Sequence, residues 1–288
     1  MELLAAMLAL GATLCWGMDQ VLGKLSLRDM DVLTFNSLRP AFAMLFVVPY
    51  VLFVEHLSYS SLWLISLAAL AGLLAEFIGT ELYFYTMNKN KAHLVMPVGN
   101  SDPLWATVLA VLFLGEEASS VVFISLAFVI LGTFLLAQES GRSLGGSWRG
   151  WVFLAAFVAF LWGASVPITK YCLEGGMSMA TVQLIRVTVA LVGCNALMLA
   201  SGPSLKIRPI STKALKVNFI SGFLALFLGF VLWLQALKME PASAIAPFLG
   251  EKAAFGFIFC ALILKEKFTK KAVFGMISIL LGLLMASI

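Results

Sequence analysis

Charge is what this chain has least of. Only 12% of its 288 residues are Asp, Glu, Lys or Arg, and its mean hydropathy is +1.01. A soluble domain carries about 25% charged residues. A chain so poor in charge cannot cover a globular surface with polar groups, which excludes water as its main solvent. Histidine is nearly missing, with only His56 and His93, and no HExxH occurs, which excludes a zincin-type metalloprotease. Cys15, Cys172, Cys194 and Cys260 are far apart with no CxxC, so they are expected to be free thiols acting as small apolar side chains. The string GRSLG at 141–145 has the form GxSxG, but it sits in a flexible connector without a strand–turn–helix context. The chain is therefore not expected to be an enzyme, and neither a cofactor nor a metal is expected. Its net charge of +4 is small and the basic residues fall between apolar runs, so nucleic acid is not an expected partner.

What is abundant is apolar sequence, 61% of the chain. Runs of helix-spanning length fall at about 3–25, 32–54, 61–87, 92–114, 118–138, 149–171, 179–201, 214–237, 242–264 and 269–288. Asp31 and Ser178 stand where N-caps belong. The first run has no basic segment before it and leads straight into polar residues, so it reads as a retained helix and not as a cleaved signal. The spacing predicts an all-α integral membrane protein with ten transmembrane helices and the lipid bilayer as its main partner. Fourteen Lys and Arg residues fall in the odd-numbered loops and two in the even-numbered ones. Excess Lys and Arg marks the cytoplasmic side, which predicts a cytoplasmic-membrane protein with both termini outside.

The two halves repeat. A shift of 146 lays Trp16-Gly17 and Lys24 on Trp162-Gly163 and Lys170. A shift of 147 lays Asn36 and Arg39 on Gln183 and Arg186, and a shift of 150 lays Pro97, Glu116 and Gly132 on Pro247, Glu266 and Gly282. The same shift lays Gly72 and Gly79 on Gly222 and Gly229, two turns apart on one face, a pattern of close helix packing. The expected organisation is a five-helix repeat at 1–139, a linker at 140–148 and a second repeat at 149–288. Five spans per repeat place the second copy upside down relative to the first. Inverted repeats with proline-broken polar helices near the midplane mark secondary transporters.

The strings WGMDQVLGK and WGASVPITK open the two halves, an arginine follows in each second helix, and DPLWATVLAVLFLGEE spaces Pro103 thirteen residues from Glu116. On these residues the chain resembles the EamA-like ten-helix group of the drug/metabolite transporter superfamily, over nearly its whole length. The resemblance implies that fold and the export of a small metabolite, amino-acid-like in class. A channel or membrane sensor, or a drug or sugar-type solute, stands as the alternative. The sequence departs from the pattern at Ala253, where a proline is expected, and at Asp19, where Asn is common.

Polar residues inside apolar runs are the candidate site. Eight are ionisable: Asp19, Arg39, Glu76, Glu81, Asp102, Arg186, Glu251 and Lys252. Facing lipid would cost each about 2.5–3.5 kcal/mol, or roughly 20 kcal/mol together, so they are expected to turn inward. The expected substrate-binding set is Trp16, Asp19, Asn36, Glu81, Tyr83, Asn100, Asp102, Trp162, Gln183, Gln235, Glu251 and Lys252. The carboxylates among them also offer groups for proton coupling. Arg39, Arg186, Glu76, Pro97 and Pro247 are expected in structural or coupling roles, the arginines by snorkelling or by pairing. Asp19 is expected to bind a substrate amine or carry a proton, unless Arg39 locks it as an ion. Lys24 and Lys170 are expected to suit the dipoles of the helices they end, and Glu116 and Glu266 to act in topology or packing. Under the shift of 150, Asn100-Ser101-Asp102 falls on Gly250-Glu251-Lys252 near the middle of the spans. An axis through the midplane would make Asp102 and Lys252 meet.

Overall fold

A computed structural model describes residues 2–58, 60–90, 92–117, 119–143, 148–201, 210–265 and 269–286. Glu266 and residues 144–147 of the expected linker, with the end of the GRSLG string, lie outside the described residues.

The helices follow the apolar runs closely. They are α1 (Leu3–Ser26), α2 (Val32–Phe53), α3 (Leu62–Lys89), α4 in two pieces (Ala92–Gly99 and Asp102–Leu114) and α5 (Ser120–Ser143). The second half gives α6 (Trp148–Glu174), α7 (Met179–Ala200), α8 (Thr212–Met239), α9 (Ala242–Leu264) and α10 (Lys270–Ala286). There is no strand among the described residues. Among the described residues, seven helices are long and apolar enough to cross a membrane: α1, α2, α3, α6, α7, α8 and α9. Large apolar side chains such as Phe53, Leu62, Phe113 and Phe153 point outward, fully in keeping with a lipid-facing surface. α5 runs on to Ser143, into the stretch from 140 expected as the linker.

The helix starts show local chemistry at work. Asp31 and Ser178 accept from the backbone N–H of Thr34 and Thr181, as N-caps do. Glu116 reaches across to α9 and accepts from the N–H of Ala242 and Ser243 at 2.8 and 2.6 Å. That carboxylate satisfies orphan donors at the N-terminus of a distant helix, where the dipole also favours it.

The lysines that end the repeated strings also bond across to other helices. Lys24 Nζ donates to the carbonyls of Met87 and Asn90 at 2.6 and 2.7 Å, at the C-terminus of α3. Lys170 Nζ donates to Leu237 and Glu240 at 2.9 Å each, at the C-terminus of α8. Each cation therefore meets orphan carbonyls of the helix packed beside it, while Lys24 also stands in the last turn of α1 and Lys170 pairs with Glu174 of α6 at 3.4 Å. Lys170→Met is expected to cost about 2–3 kcal/mol, since it removes two charge-assisted bonds from buried carbonyls. The thermal unfolding midpoint in detergent should fall; an unchanged midpoint would show that the carbonyls find other donors.

Close helix contacts seat the arginine-bearing helices. A Cβ on Gly72 would lie 2.9 Å from Arg186 Cα, and one on Gly222 would lie 2.6 Å from the Arg39 carbonyl oxygen. Both α3 and α8 then pass through a π-helical stretch, Leu73–Gly79 and Leu224–Leu228. The wider turn shifts backbone pairing and leaves carbonyls for side chains. Trp162 Nε1 donates to Ala75 O at 3.1 Å, and Trp16 Nε1 to Ala225 O at 3.0 Å. Contacts made by one half thus recur in the other with the partners exchanged.

A central cavity with three ion pairs

The breaks in α4 and α9 place the charges. In α4 the helix ends at Gly99 and restarts at Asp102, with Pro103 in the first turn, where its missing N–H costs nothing. In α9 a 3₁₀ stretch, Ala246–Gly250, carries Pro247 and hands over to an α-helical segment beginning at Glu251. Asp102 and Lys252 therefore stand at the start of fresh helical segments deep in the protein. They meet as expected: Lys252 Nζ donates to Asp102 Oδ2 at 2.7 Å, with the two residues only 5% and 2% exposed.

Two glycine contacts hold that pair in place. A Cβ on Gly17 would lie 3.1 Å from the Lys252 carbonyl oxygen, and one on Gly163 would lie 2.8 Å from the Asp102 carbonyl oxygen. The tryptophan preceding each glycine then flanks the ammonium. Lys252 Nζ lies 5.1 Å from the Trp162 ring centre and 5.6 Å from that of Trp16, within cation–π range of both.

Two further pairs complete the charged lining. Asp19 accepts from Arg39 through Oδ2 at 2.5 Å and from Ser221 through Oδ1 at 2.5 Å. Both of its oxygens are engaged. Glu76 Oε1 accepts from Arg186 Nη2 at 2.8 Å, and Arg186 Nη1 donates to Thr169. Both arginines are thus buried in pairs and do not snorkel. They occupy corresponding places in the two halves but take carboxylates from different helices, Asp19 from α1 and Glu76 from α3. The cavity between the pairs has about 90 Å³ open to the centres of water molecules. One water needs roughly 10–15 Å³ on that measure, so the space holds several waters or a small organic molecule.

Of the expected binding residues, Trp16, Asp19, Tyr83, Asp102, Trp162 and Lys252 line this cavity together with Arg39, Glu76 and Arg186. Tyr83 is fully buried, and its hydroxyl has no hydrogen-bond partner among the described residues. The other six lie off the lining. Gln183 donates to the Leu226 carbonyl freed by the π-helical stretch, and Asn100 exchanges two amide hydrogen bonds of 2.9 Å with Gln20. Asn36 and Glu81 sit together beside Cys194, and Glu251 is buried at the head of its helical segment. Gln235 is half-buried on α8. Pro97 and Pro247 shape the backbone near the breaks without lining the space. Sequence reasoning missed Ser165, Thr169 and Phe230 in the lining and Ser221 behind it. Ser165 was within reach, because the shift of 146 lays it on Asp19.

Comparison with known proteins agrees with this architecture. The model of the EamA-like transporter family matches residues 3–138 and again 149–288. The chain belongs to the EamA-like transporter family, and it is a multi-pass membrane transporter. Two proteins of Archaeoglobus fulgidus, both described as uncharacterized transporters, are similar to it. One is 22% identical over 285 residues, with 98% of each chain covered; the other is 22% identical over 275 residues, with 93% of each covered. A solved crystal structure shares the fold, with a TM-score of 0.77 at 14% identity, covering 99% of this chain and 98% of that one.

Proposed function

We propose that this chain is a secondary transporter that exports a small, amino-acid-like metabolite across the cytoplasmic membrane by alternating access. The observation that carries the reading is the buried Asp102–Lys252 pair between the rings of Trp16 and Trp162, lining a central cavity. An ammonium and a carboxylate on one ligand can replace the two halves of that pair, while the aromatic rings pack against its body. Removing two charges from water is costly unless each finds a partner, and a ligand that brings both charges lets the pair part without leaving either bare.

In this reading ten spans form two inverted repeats, residues 1–139 and 149–288, joined by the 140–148 linker. The exchanged contacts support it: Trp16 with α8 and Trp162 with α3, Lys24 with the end of α3 and Lys170 with the end of α8. Two halves of opposite orientation can exchange conformations, and that exchange opens one cavity to each side in turn. Both termini lie outside, with the loops holding Lys89 and Lys213 in the cytoplasm. Labelling of single cysteines placed in those loops, on a background lacking the four native ones, checks this. A cytoplasmic C-terminus would reverse the orientation.

Carrier activity is tested by counterflow in proteoliposomes. Preloading with unlabelled amino acid should accelerate uptake of the labelled compound, because a carrier returns faster when loaded. Uptake indifferent to preloading would indicate a pore. The three carboxylates of the lining supply candidates for proton coupling, and counterflow repeated with an imposed pH gradient addresses that separately.

A further inference from the structure

The cavity balances its own charge. Among the described residues, the ionisable groups on its lining are Asp19, Glu76 and Asp102 against Arg39, Arg186 and Lys252, apart from the buried Tyr83 hydroxyl. All six are at most 5% exposed, and each carboxylate is within ion-pair distance of one cation. Glu81 and Glu251 are also buried, but they do not line the space and neither has a cation within ion-pair distance among the described residues. The unused hydrogen-bonding capacity is balanced as well. Among the described residues, Asp102 Oδ1 and Glu76 Oε2 are acceptors with no partner, Arg39 Nε and Arg186 Nε are donors with none, and the unpartnered Tyr83 hydroxyl can act as either.

We infer that this neutral, half-satisfied lining makes the cavity a selector for ligands of zero net charge, with Asp102 and Lys252 as the residues that set the selection. The inference rests on the amino-acid-like reading above and narrows it. A zwitterion brings one charge for Asp102 and one for Lys252, and the total stays at zero. A cation leaves the Lys252 ammonium facing a like charge, and an anion does the same to the Asp102 carboxylate. The six charged groups are themselves almost wholly withdrawn from bulk solvent, so either repulsion is screened far less than at a protein surface. Discrimination here arises from the rejected ligand's unpaired charge as much as from the favoured ligand's contacts.

The experiment uses matched ligands on the purified full chain at pH 6. L-leucine and L-phenylalanine are compared with their amides, which are cations, and their N-acetyl derivatives, which are anions. Binding is read by thermal shift and by competition in counterflow. At least one of the two zwitterions is expected to bind about tenfold or more tightly than both of its charged derivatives, a factor that corresponds to one lost interaction. Lys252→Met leaves the lining one charge negative, and its preference should move to the amide. Asp102→Asn leaves it one charge positive, and its preference should move to the N-acetyl compound. Charged derivatives that bind the unaltered protein as well as their parent zwitterion would overturn the charge selection while leaving an amino-acid-like substrate in place. If neither zwitterion nor any derivative binds, the substrate reading falls and the selection falls with it. A variant that does not fold leaves the comparison on the unaltered protein as the decisive one.

Discussion

Lys252→Ala should abolish transport and lower stability by about 3–5 kcal/mol, the cost of leaving one member of a buried ion pair uncompensated. Asp102 is 2% exposed, and Oδ1 already lacks a partner. Without Lys252 its other oxygen would lose its bond as well. The double exchange Asp102→Lys with Lys252→Asp restores a pair of opposite charges at the same 2.7 Å contact, so much of the folding stability should return. Transport should not return. A zwitterion entering the exchanged site would meet its charges in reversed order, and its side chain would point away from the aromatic walls. Thermal unfolding in detergent and counterflow on the same samples separate the two outcomes. Recovery of both stability and transport would make the pair a fixed structural element.

Gly163→Val is expected to have an effect of similar size for a different reason. The first atom of any side chain there would sit 2.5 Å from Trp105 Cβ and 2.8 Å from the Asp102 carbonyl oxygen. These neighbours belong to the first turn of the restarted α4 segment, so relief requires moving the segment that carries Asp102. Overpacking of this kind costs about 1–3 kcal/mol, and a shift of about 1 Å at a binding group is enough to cost roughly 10²-fold in turnover. Gly163→Ala should fall between, with transport reduced more than stability. Gly17 makes the matching contact with the Lys252 carbonyl oxygen, so Gly17→Val should reproduce the defect. Activity near normal in Gly163→Val would show that α4 and α6 are not held in register at the cavity.

Much of this arrangement was legible because a membrane limits what a sequence can do. Apolar runs of spanning length coincide with helices to within a few residues, and the repeat shift alone lays Asp102 on Lys252. The alignment worked there because both residues follow matched prolines at the same offset. It was less informative for the arginines. Arg39 and Arg186 align, but their carboxylates do not: Asp19 aligns with Ser165, and Glu76 aligns with Leu226. Each half neutralises its arginine from whichever adjacent helix carries an acid, and helix adjacency is a tertiary fact. The lysine contacts were hidden for the same reason, since nothing in the sequence says that α1 packs beside the end of α3. The π-helical stretches carried no signal either. Their freed carbonyls are backbone atoms, and only the positions of Trp16, Trp162 and Gln183 in space reveal them. Asn36, Asn100 and Gln235 stand out in the sequence only as polar residues within apolar runs, a feature shared by groups on the cavity and groups between helices.

The central claim is that one cavity is reached from each side of the membrane in turn, and Ser165 is the position from which to test it. It lines the cavity, is 4% exposed, and its hydroxyl donates to the Trp162 carbonyl one turn back in its own helix, so a cysteine fits with little disturbance. On a background without Cys15, Cys172, Cys194 and Cys260, Ser165→Cys should react with a membrane-impermeant thiol reagent added from outside in one set of vesicles. It should react equally with the same reagent sealed inside in another set, and saturating substrate should slow both reactions. Labelling from one side only, under turnover as well as at rest, would contradict the account.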